Sequence, residues 1–464
     1  MQSLISPWVA PAGAQTAAPS PGPSPVPSSA PLPPAGVIPG EVTVELGGSV
    51  SPRFASDRIA LEIARVTQLQ AGATVAIGGV TIARQLVPDD ELEAVAAVRL
   101  EGHGFASDVT GTTSVHVRVE SLAQLDPAFL FYSDDPEKID AGGTGVLYRG
   151  TIALDRTARL YAYHVASLPD THLSLVLQTA SGAARVQVLG YAAGPADAYA
   201  YVGHLATLQY LLERATQESA IVPVVAGAPY VMALGRGVMH PNDLVTAVFD
   251  LRVLAGEPVE VDVVATLGNA DPATSPAGPD APGDGHGRRG TFSLGAVPPL
   301  ALAFTAGAAE PAPFSAGVKG LVNLEPGGRP LGGDYGVLRS LSLQLSNPLA
   351  QAQDVYLYES PAGGSSTTTI WFAGDEHPTE FPCVRGSAAR YIVKQFTLGP
   401  GEKRAVGGEF MTDGASSFPL LFGVSAEPPS PPPGPSSPDA CNPKPLPSAT
   451  PAPAASPAPS PAAT

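Results

Sequence analysis

Between residues 41 and 426, short runs of alternating apolar and polar residues are separated by turns rich in Gly, Pro, Asn and Asp. A period of two places successive side chains on opposite faces, so each run predicts a half-buried β-strand. Many short strands with such turns are typical of antiparallel sandwiches. We therefore predict an all-β fold of tandem antiparallel β-sandwich domains flanked by disordered, proline-rich tails. The predicted strands are Glu41–Leu46, Ser114–Glu120, Val146–Leu154, Arg159–Val165, Leu173–Thr179, Arg185–Leu189, Leu244–Val253, Pro258–Leu267, Val337–Leu345, Asp354–Glu359, Thr368–Phe372, Tyr391–Leu398, Lys403–Met411 and Phe418–Val424.

Helical patterns are scarce. Leu205–Thr216 fits a short helix, and Ser56–Leu69 fits either a helix or a strand. Asp89–Leu100 is predicted as a helix, because Pro88 is followed by acidic residues in what would be the first turn. None of these segments lies between strands with the regularity that a βαβ fold requires.

Proline is concentrated at the two ends of the chain. Residues 11–40 hold 10 prolines in 30 positions, and residues 427–464 hold 15 in 38. Such segments lack the apolar side chains that would offset the entropy of ordering, and they favour extended polyproline II. We expect disorder over 1–40 and 427–464; a spacer through a cell envelope and a degenerate tail remain alternative interpretations.

Two breaks divide the region between the tails. Residues 269–290 are rich in Pro, Gly and Asp, and a structureless loop of about 20 residues is unusual inside a compact domain. This break predicts a linker between a β-sandwich at 129–268 and a second β-sandwich at 291–426. A softer break near 123–134 separates a small β-rich N-terminal domain or subdomain at 41–128.

Charge excludes some partners. The formal net charge is −17, whereas nucleic acids and anionic membranes bind basic surfaces, so no nucleic-acid partner is expected. No run of 18 apolar residues occurs, and no transmembrane segment is predicted. The sequence gives no indication of an oligomeric state.

Three Tyr-x-Tyr pairs are the candidate ligand-binding residues. On a strand, this spacing places both rings of a pair on one face. A solvated face would offer a platform for sugars, and an inward face would make the rings core residues. The pairs are Tyr161 with Tyr163, Tyr199 with Tyr201, and Tyr356 with Tyr358.

An acidic loop is a weak calcium candidate. It contains Asp134, Asp135, Glu137 and Asp140. Carboxylate oxygens are ligands that Ca²⁺ prefers, but the spacing does not match a calcium-binding loop, and a solvated turn is the alternative. We predict no metal site and no cofactor.

The two cysteines, Cys383 and Cys441, are too few for a disulfide scaffold. In an oxidising compartment they could form one disulfide that ties the C-terminal tail back to the folded region. Intermolecular linkage by Cys441 and a free thiol are the alternatives.

Catalytic motifs are missing from the sequence. It contains no Gly-x-Ser-x-Gly, no His-Glu-x-x-His and no Walker loop. We therefore predict that the protein is not an enzyme. A hydrolase with a carboxylate pair distant in sequence is kept as a third hypothesis.

Export is inferred from the tails. The first ten residues carry no Lys or Arg and include Pro7, which does not fit a signal peptide. Residues 12–14, Ala-Gly-Ala, resemble a small-residue cleavage site. One explanation is a longer leader upstream of the printed start.

Three segments resemble bacterial cell-surface β-sandwich proteins of unknown activity. They are Phe131-Tyr-Ser-Asp-Asp-Pro-Glu137, Gly145-Val-Leu-Tyr-Arg149 and Leu160-Tyr-Ala-Tyr-His164. Such proteins are sometimes found with the copper-amine-oxidase-like N-terminal stalk domain, to which Arg58–Ile82 is faintly similar. The resemblance covers about residues 129–424 and implies an exported β protein.

Together these patterns lead to two main hypotheses. The first is a non-enzymatic exported bacterial protein with a structural or adhesive role at the cell envelope. The second is a carbohydrate-binding protein that uses the Tyr-x-Tyr pairs. The expected partners are cell-wall polysaccharide or other surface proteins, and the expected location is extracellular or in the cell envelope.

Overall fold

The all-β class is confirmed by a computed structural model, which describes residues 31–295, 297–317, 320–385 and 389–429. Most of the predicted disordered tails therefore lies outside the described residues. Residues 31–40 are an exception, because Ala35 is buried and its N–H donates to the Ser107 carbonyl at 2.8 Å. No helix in the described ranges is long and apolar enough to cross a membrane.

The N-terminal part combines a helix with strands around a core of its own. The helix begins after Ser51, whose side chain accepts the Phe54 N–H at 3.2 Å, and Pro52 occupies its first position. Ile59 and Ile63 of the helix face this core. The elements are β1 (Gly36–Val37), β2 (Glu41–Gly47), α1 (Pro52–Val66), β3 (Gln68–Leu69), β4 (Thr74–Ile77), β5 (Glu91–Glu101) and β6 (Val109–Glu120).

The helix predicted at Asp89–Leu100 is wrong. This segment forms β5, which pairs antiparallel with β6 from Glu91 to Leu100. Burial alternates along it, with Ala96, Val98 and Leu100 facing the core. The hydrogen-bonded partner strand and this period of two outweigh the local signal of a helix start.

The first sandwich packs two sheets around the largest core cluster. The order of the larger sheet is β17-β7-β10-β15-β12-β13-β2-β6-β5-β4, with β8 also paired to β10, and that of the smaller sheet is β14-β11-β16-β9. The elements are β7 (Phe129–Ser133), β8 (Lys138–Ile139), β9 (Gly145–Ile152), β10 (Thr157–Ala166), β11 (Thr171–Gln178), β12 (Ala183–Ala196), α2 (Tyr199–Thr216), β13 (Ser219–Val225), β14 (Tyr230–Ala233), β15 (Leu244–Gly256), β16 (Val259–Leu267) and β17 (Arg289–Ser293), with a short 3₁₀ helix at Pro272–Ala277.

The N-terminal part is a subdomain built on this same sheet, because β2 pairs antiparallel with β13. The expected antiparallel pairing holds for most of the strands. Within the described residues, four pairs of strands are parallel: β2 with β6, β7 with β10, β8 with β10, and, in the second sandwich, β18 (Leu300–Thr305) with β20 (Arg339–Ser346).

The second sandwich encloses a separate core cluster between two sheets. Their orders are β18-β20-β25-β22-β23 and β19-β26-β21-β24. The strands are β18 (Leu300–Thr305), β19 (Phe314–Ala316), β20 (Arg339–Ser346), β21 (Gln353–Pro361), β22 (Ser365–Phe372), β23 (Thr379–Arg385), β24 (Tyr391–Leu398), β25 (Lys403–Thr412) and β26 (Leu420–Ser425).

The boundary between the sandwiches falls later than the sequence placed it. Pro276 and Ala281, inside the expected linker 269–290, are buried, and Ala281 belongs to the first core. The next strand, β17, pairs with β7 of the first sandwich. Residues 269–290 therefore cover the first sandwich, and the strands of the second begin with β18.

The two sandwiches share a third core cluster around α2. It joins Val202, Ala206 and Tyr210 of the helix to residues of both halves, including Val337 and Met411 of the second. At Gly203 the helix approaches the second half so closely that a Cβ would lie 2.1 Å from the Gly414 carbonyl oxygen. The helix α2 therefore fixes one sandwich against the other.

Candidate functional site

A cleft of about 330 Å³ opens between the two sandwiches, beside the first turn of α2. We call it the interdomain cleft. Its walls combine tyrosines with a small set of charged and hydroxyl groups from both halves of the chain. The lining residues are Asp134, Glu137, Tyr161, Tyr163, Tyr199, Ala200, Arg288, Tyr335, Ser365, Ala415 and Ser416.

A stack of aromatic rings crosses from the first half to the second beneath this cleft. The ring centroids of Tyr132 and Tyr161 are 5.0 Å apart, and those of Tyr161 and Tyr335 are 6.0 Å apart. Tyr335 then meets Phe418 edge-on at 4.8 Å. Because Tyr161 is 1% exposed and stacks on two other rings, it is part of the packed wall and does not offer an open stacking platform.

Tyr163 and Tyr199 complete the tyrosine wall. Tyr163 is 8% exposed, and Tyr199, at the start of α2, is half-buried. Burial is the main cause that raises the pKa of both phenols, and Glu137 raises both further. The hydroxyls therefore stay protonated at neutral pH and remain available as hydrogen-bond donors.

Two carboxylates meet one guanidinium at the cleft. Arg288 contacts Asp134 at 3.2 Å through Nη1 and forms a short hydrogen bond to Glu137 through Nη2. Asp134 is 2% exposed, and its Oδ1 has no hydrogen-bond partner. Burial raises the pKa of Asp134 well above its usual value although Arg288 opposes the shift. Oδ1 therefore offers a ligand one unpaired hydrogen-bonding position, as an acceptor when Asp134 is ionised and as a donor when Asp134 is protonated.

The other predicted tyrosines lie away from the cleft lining. Tyr201 is on α2, where a spacing of two turns a side chain to a different face, and it is 43% exposed. The prediction that Tyr199 and Tyr201 share one face of a strand is therefore wrong. Tyr356 and Tyr358 are on β21 of the second sandwich; Tyr358 is 2% exposed and lies under Arg390, 4.5 Å from its ring centroid. The six rings do not form one platform.

The four calcium candidates turn to different partners. Asp135 accepts the N–H groups of Asp284 and Gly287, and Asp140 accepts those of Gly142 and Gly143. Asp134 and Glu137 instead meet Arg288. Among the described residues, no group of three or more His, Cys, Asp or Glu side chains converges as a metal site would. These bonds tie each carboxylate to its own partners, and because Asp134 and Asp135 are buried, only part of the loop is the solvated turn of the alternative interpretation.

The possible disulfide is not described. The backbone of Cys383 belongs to β23, but its side chain and the whole of Cys441 lie outside the described residues.

One serine and one histidine form a pair inside the first sandwich. Ser133 Oγ lies 2.8 Å from His164 Nε2, and His164 Nδ1 lies 2.9 Å from the Pro136 carbonyl oxygen. Burial lowers the pKa of His164 to about 4, so the ring is neutral at pH 7 and the Ser133 hydroxyl donates to it. Both residues are 0% exposed, so the pair is a structural contact that a substrate cannot reach.

A buried charge cluster holds α2 against the larger sheet next to the cleft. Arg159 donates from Nε to Asp250 at 2.8 Å, and Tyr210 donates to the same carboxylate at 2.9 Å. Arg159 also donates to the Gly336 carbonyl of the second half at 3.3 Å. Arg214, one turn further along α2, lies 3.6 Å from Asp250.

A histidine of α2 provides a further polar contact between the halves. His204 Nδ1 lies 2.7 Å from Asp413, and Nε2 lies 2.9 Å from Glu380. Thr369 completes the group by donating to Asp413 at 3.1 Å. Burial alone would lower the pKa of His204, but Asp413 and Glu380 outweigh it and raise that pKa to about 9. The imidazole is therefore charged at pH 7 and donates to both carboxylates.

Sequence reasoning identified part of the cleft and missed the rest. Tyr161, Tyr163, Tyr199, Asp134 and Glu137 were all predicted candidates, although in three unrelated sets. Arg288 was missed because it lies in the expected linker, and Tyr335 was missed because it is a single tyrosine in a glycine-rich turn. Only the packing of the second half against the first brings them together.

Comparisons with known proteins identify no family. No family profile matches the chain, and no curated protein sequence matches it. The crystal structure of tripeptidyl peptidase 2 is similar at a TM-score of 0.16 and 10% identity, over 77% of this chain and 30% of that one. The chain thus spans less than a third of the length of that peptidase.

Two other solved structures are similar to the same low degree. Lac15 from a marine microbial metagenome gives a TM-score of 0.13 at 10% identity, covering 84% of this chain and 98% of that one. The PBSX exported protein XepA gives 0.14 at 8% identity, covering 66% and 90%. Similarities this low carry no argument about activity, so the function has to be argued from the interdomain cleft.

Proposed function

We propose that this chain is a non-enzymatic, exported bacterial protein that acts at the cell envelope by binding carbohydrate in the interdomain cleft. The observation that carries the proposal is the cleft itself. Both sandwiches contribute to it, it is walled by Tyr163, Tyr199 and Tyr335, and the buried Asp134 supplies an unpartnered carboxylate oxygen.

The size and polarity of the cleft support a hydroxyl-rich ligand. Its volume of about 330 Å³ falls at the lower end of the roughly 300–1,000 Å³ that is usual for small-molecule sites. Phenolic hydroxyls and a guanidinium donate hydrogen bonds, and two carboxylates accept them. A sugar ring presents hydroxyls that do both, so one or two sugar units of a polysaccharide suit this arrangement.

The proposed location at the envelope rests on the sequence. Both ends of the chain are rich in proline, a composition that favours semi-rigid, extended spacers. Placed at either side of a folded ligand-binding unit, such spacers hold it away from an anchoring surface. A structural or adhesive role at the cell wall follows from that arrangement.

A second candidate, glycoside hydrolysis, is favoured by one feature of the same site. Asp134 and Glu137 approach the same guanidinium, so two carboxyl groups stand close together in a cleft. Burial raises the pKa of Asp134, as it does for the general acid of many glycosidases. Release of reducing sugar from a bound polysaccharide would identify this activity, whereas binding without release supports the first proposal.

Replacing one cleft tyrosine tests the binding site. Tyr199→Ala removes a ring of the cleft wall and should weaken binding to an isolated cell-wall polysaccharide by a factor of about 2 to 12, since an aromatic contact contributes roughly 0.5–1.5 kcal/mol. Binding is measured by isothermal titration after a glycan array has identified a ligand.

The matched control is Tyr201→Ala. Tyr201 is on the same helix, is 43% exposed and does not line the cleft, so its removal should leave the affinity unchanged. Equal affinities of the two variants, or binding to no glycan at all, would contradict the proposed site.

A further inference from the structure

We infer that the interdomain cleft selects sugars that carry a free, positively charged amino group over neutral and acidic sugars. This inference rests on the proposed function and names the ligand class of that same site.

The first argument is the excess of negative charge at the cleft. Asp134 and Glu137 line it, and Arg288 is the one Lys or Arg among its described lining residues. Burial is the largest cause that raises the pKa of Asp134; Arg288 opposes it, and Glu137, Asp284 and Asp135 raise the pKa further. Burial and then Asp197, Glu137 and Asp243 likewise raise the pKa of Tyr199. Carboxyl groups therefore outnumber cationic groups around the cleft, which favours a cationic ligand.

The second argument is the unpartnered oxygen of Asp134. Arg288 approaches Asp134 Oδ2, whereas Oδ1 is buried and without a partner. A buried oxygen without a hydrogen-bond partner is costly, and an ionised carboxylate is satisfied about twice as strongly by a charged donor as by a neutral hydroxyl. An ammonium group supplies three such donors from one small centre.

The third argument is the aromatic surroundings of that carboxylate. Burial of the Tyr132, Tyr161 and Tyr335 rings places an apolar, low-dielectric wall beside Asp134. In such surroundings a charge pair is stronger than at an exposed surface. A carboxylate or sulfate on the sugar would instead meet Asp134 and Glu137 and be repelled.

The experiment compares three tetrasaccharides of the same length and linkage at low ionic strength. The probes are the β-1,4 tetramers of glucosamine, N-acetylglucosamine and glucose, titrated calorimetrically into the full chain. We expect the glucosamine tetramer to bind at least tenfold more tightly than the other two. Its affinity should fall with added salt, because an ion pair at a cleft is screened.

Two variants connect this preference to the carboxylates. Asp134→Asn should reduce it to less than threefold. The Glu137 side chain is 32% exposed and therefore tolerates replacement. If Asp134→Asn fails to fold, Glu137→Gln should also reduce the preference for the glucosamine tetramer. The wild-type complex should also release protons, because an ammonium beside Asp134 favours its ionised form.

The outcomes separate the two proposals. Equal affinities for the amino and neutral tetramers would overturn the amine preference and leave carbohydrate binding intact. Binding of a neutral glycan from the array without binding of the glucosamine tetramer would also overturn the amine preference and leave carbohydrate binding intact. Binding of none of these sugars would overturn the preference and the proposed function together.

Discussion

Asp250→Ala should lower the free energy of unfolding by about 3–5 kcal/mol, because it leaves a buried guanidinium without its counter-charge. Arg159 is 2% exposed, and two of its nitrogens donate to Asp250, at 2.8 and 3.2 Å. Tyr210 loses its acceptor in the same change. Urea unfolding followed by far-ultraviolet circular dichroism measures the loss.

The matched control is Asp126→Ala. Asp126 contacts Arg214, which also approaches Asp250, but the Asp126 side chain is 86% exposed. Because the Asp126 carboxylate is exposed and Arg214 keeps Asp250 and Glu409 beside it, its removal should cost about 0–1 kcal/mol. Similar losses in the two variants would mean that the buried cluster does not stabilise the contact between α2 and the sheet.

Alkaline pH should lower the free energy of unfolding by up to about 3 kcal/mol, because His204 loses the charge that stabilises the contact between the halves. The pKa of this histidine is about 9 in the folded chain and close to 6.5 when unfolded. A raised pKa means that the stabilisation is fully present below pH 6.5 and is lost as pH rises through about 9. Urea unfolding between pH 6.5 and 10 should show this decline, and a proton NMR titration of His204 should give the pKa directly.

A neutral double variant isolates this effect. His204→Gln combined with Asp413→Asn replaces the buried charges by two amides, and it avoids leaving Asp413 unpaired. Glu380 stays in place, and its side chain is 49% exposed. The free energy of unfolding of the double variant should not show the decline between pH 6.5 and 9 that His204 causes in the wild type. A decline as steep as that of the wild type would assign the pH dependence to other groups.

Local pattern was enough to predict the strands. Each predicted strand overlaps an observed one, because alternating burial is imposed residue by residue along β-strands such as Glu41–Gly47 and Arg339–Ser346. The short helix predicted at Leu205–Thr216 is also confirmed, and it begins six residues earlier, at Tyr199. The ambiguous segment Ser56–Leu69 is mostly helical, because Ser51 and Pro52 start a helix there.

What the sequence did not provide is the long-range pairing. The strands β17 and β7 pair although nearly the whole sequence of the first sandwich lies between them. Nothing in the residues Arg289–Ser293 predicts which strand they pair with. For the same reason the segment 269–290 was interpreted as a linker. Its composition indicates irregular backbone, and irregular backbone also occurs where a loop covers a core.

In the candidate site, too, local pattern predicted part of the arrangement and long-range contacts determine the rest. Tyr161 and Tyr163 were predicted to share one face of a strand, and both pack in the cluster between the halves. Whether that face is open or covered depends on Tyr335, whose ring comes from the other half and stacks on Tyr161. The sequence around Tyr161 and around Tyr335 does not predict a contact between residues so far apart in the chain.

A crystal structure of the full chain soaked with a polysaccharide fragment that it binds tests the proposed function most directly. We expect the sugar between Tyr163, Tyr199 and Tyr335, with one of its donors on Asp134 Oδ1 and no cleavage of the fragment. A sugar bound on the second sandwich beside Tyr356, with the interdomain cleft empty, would contradict the proposal.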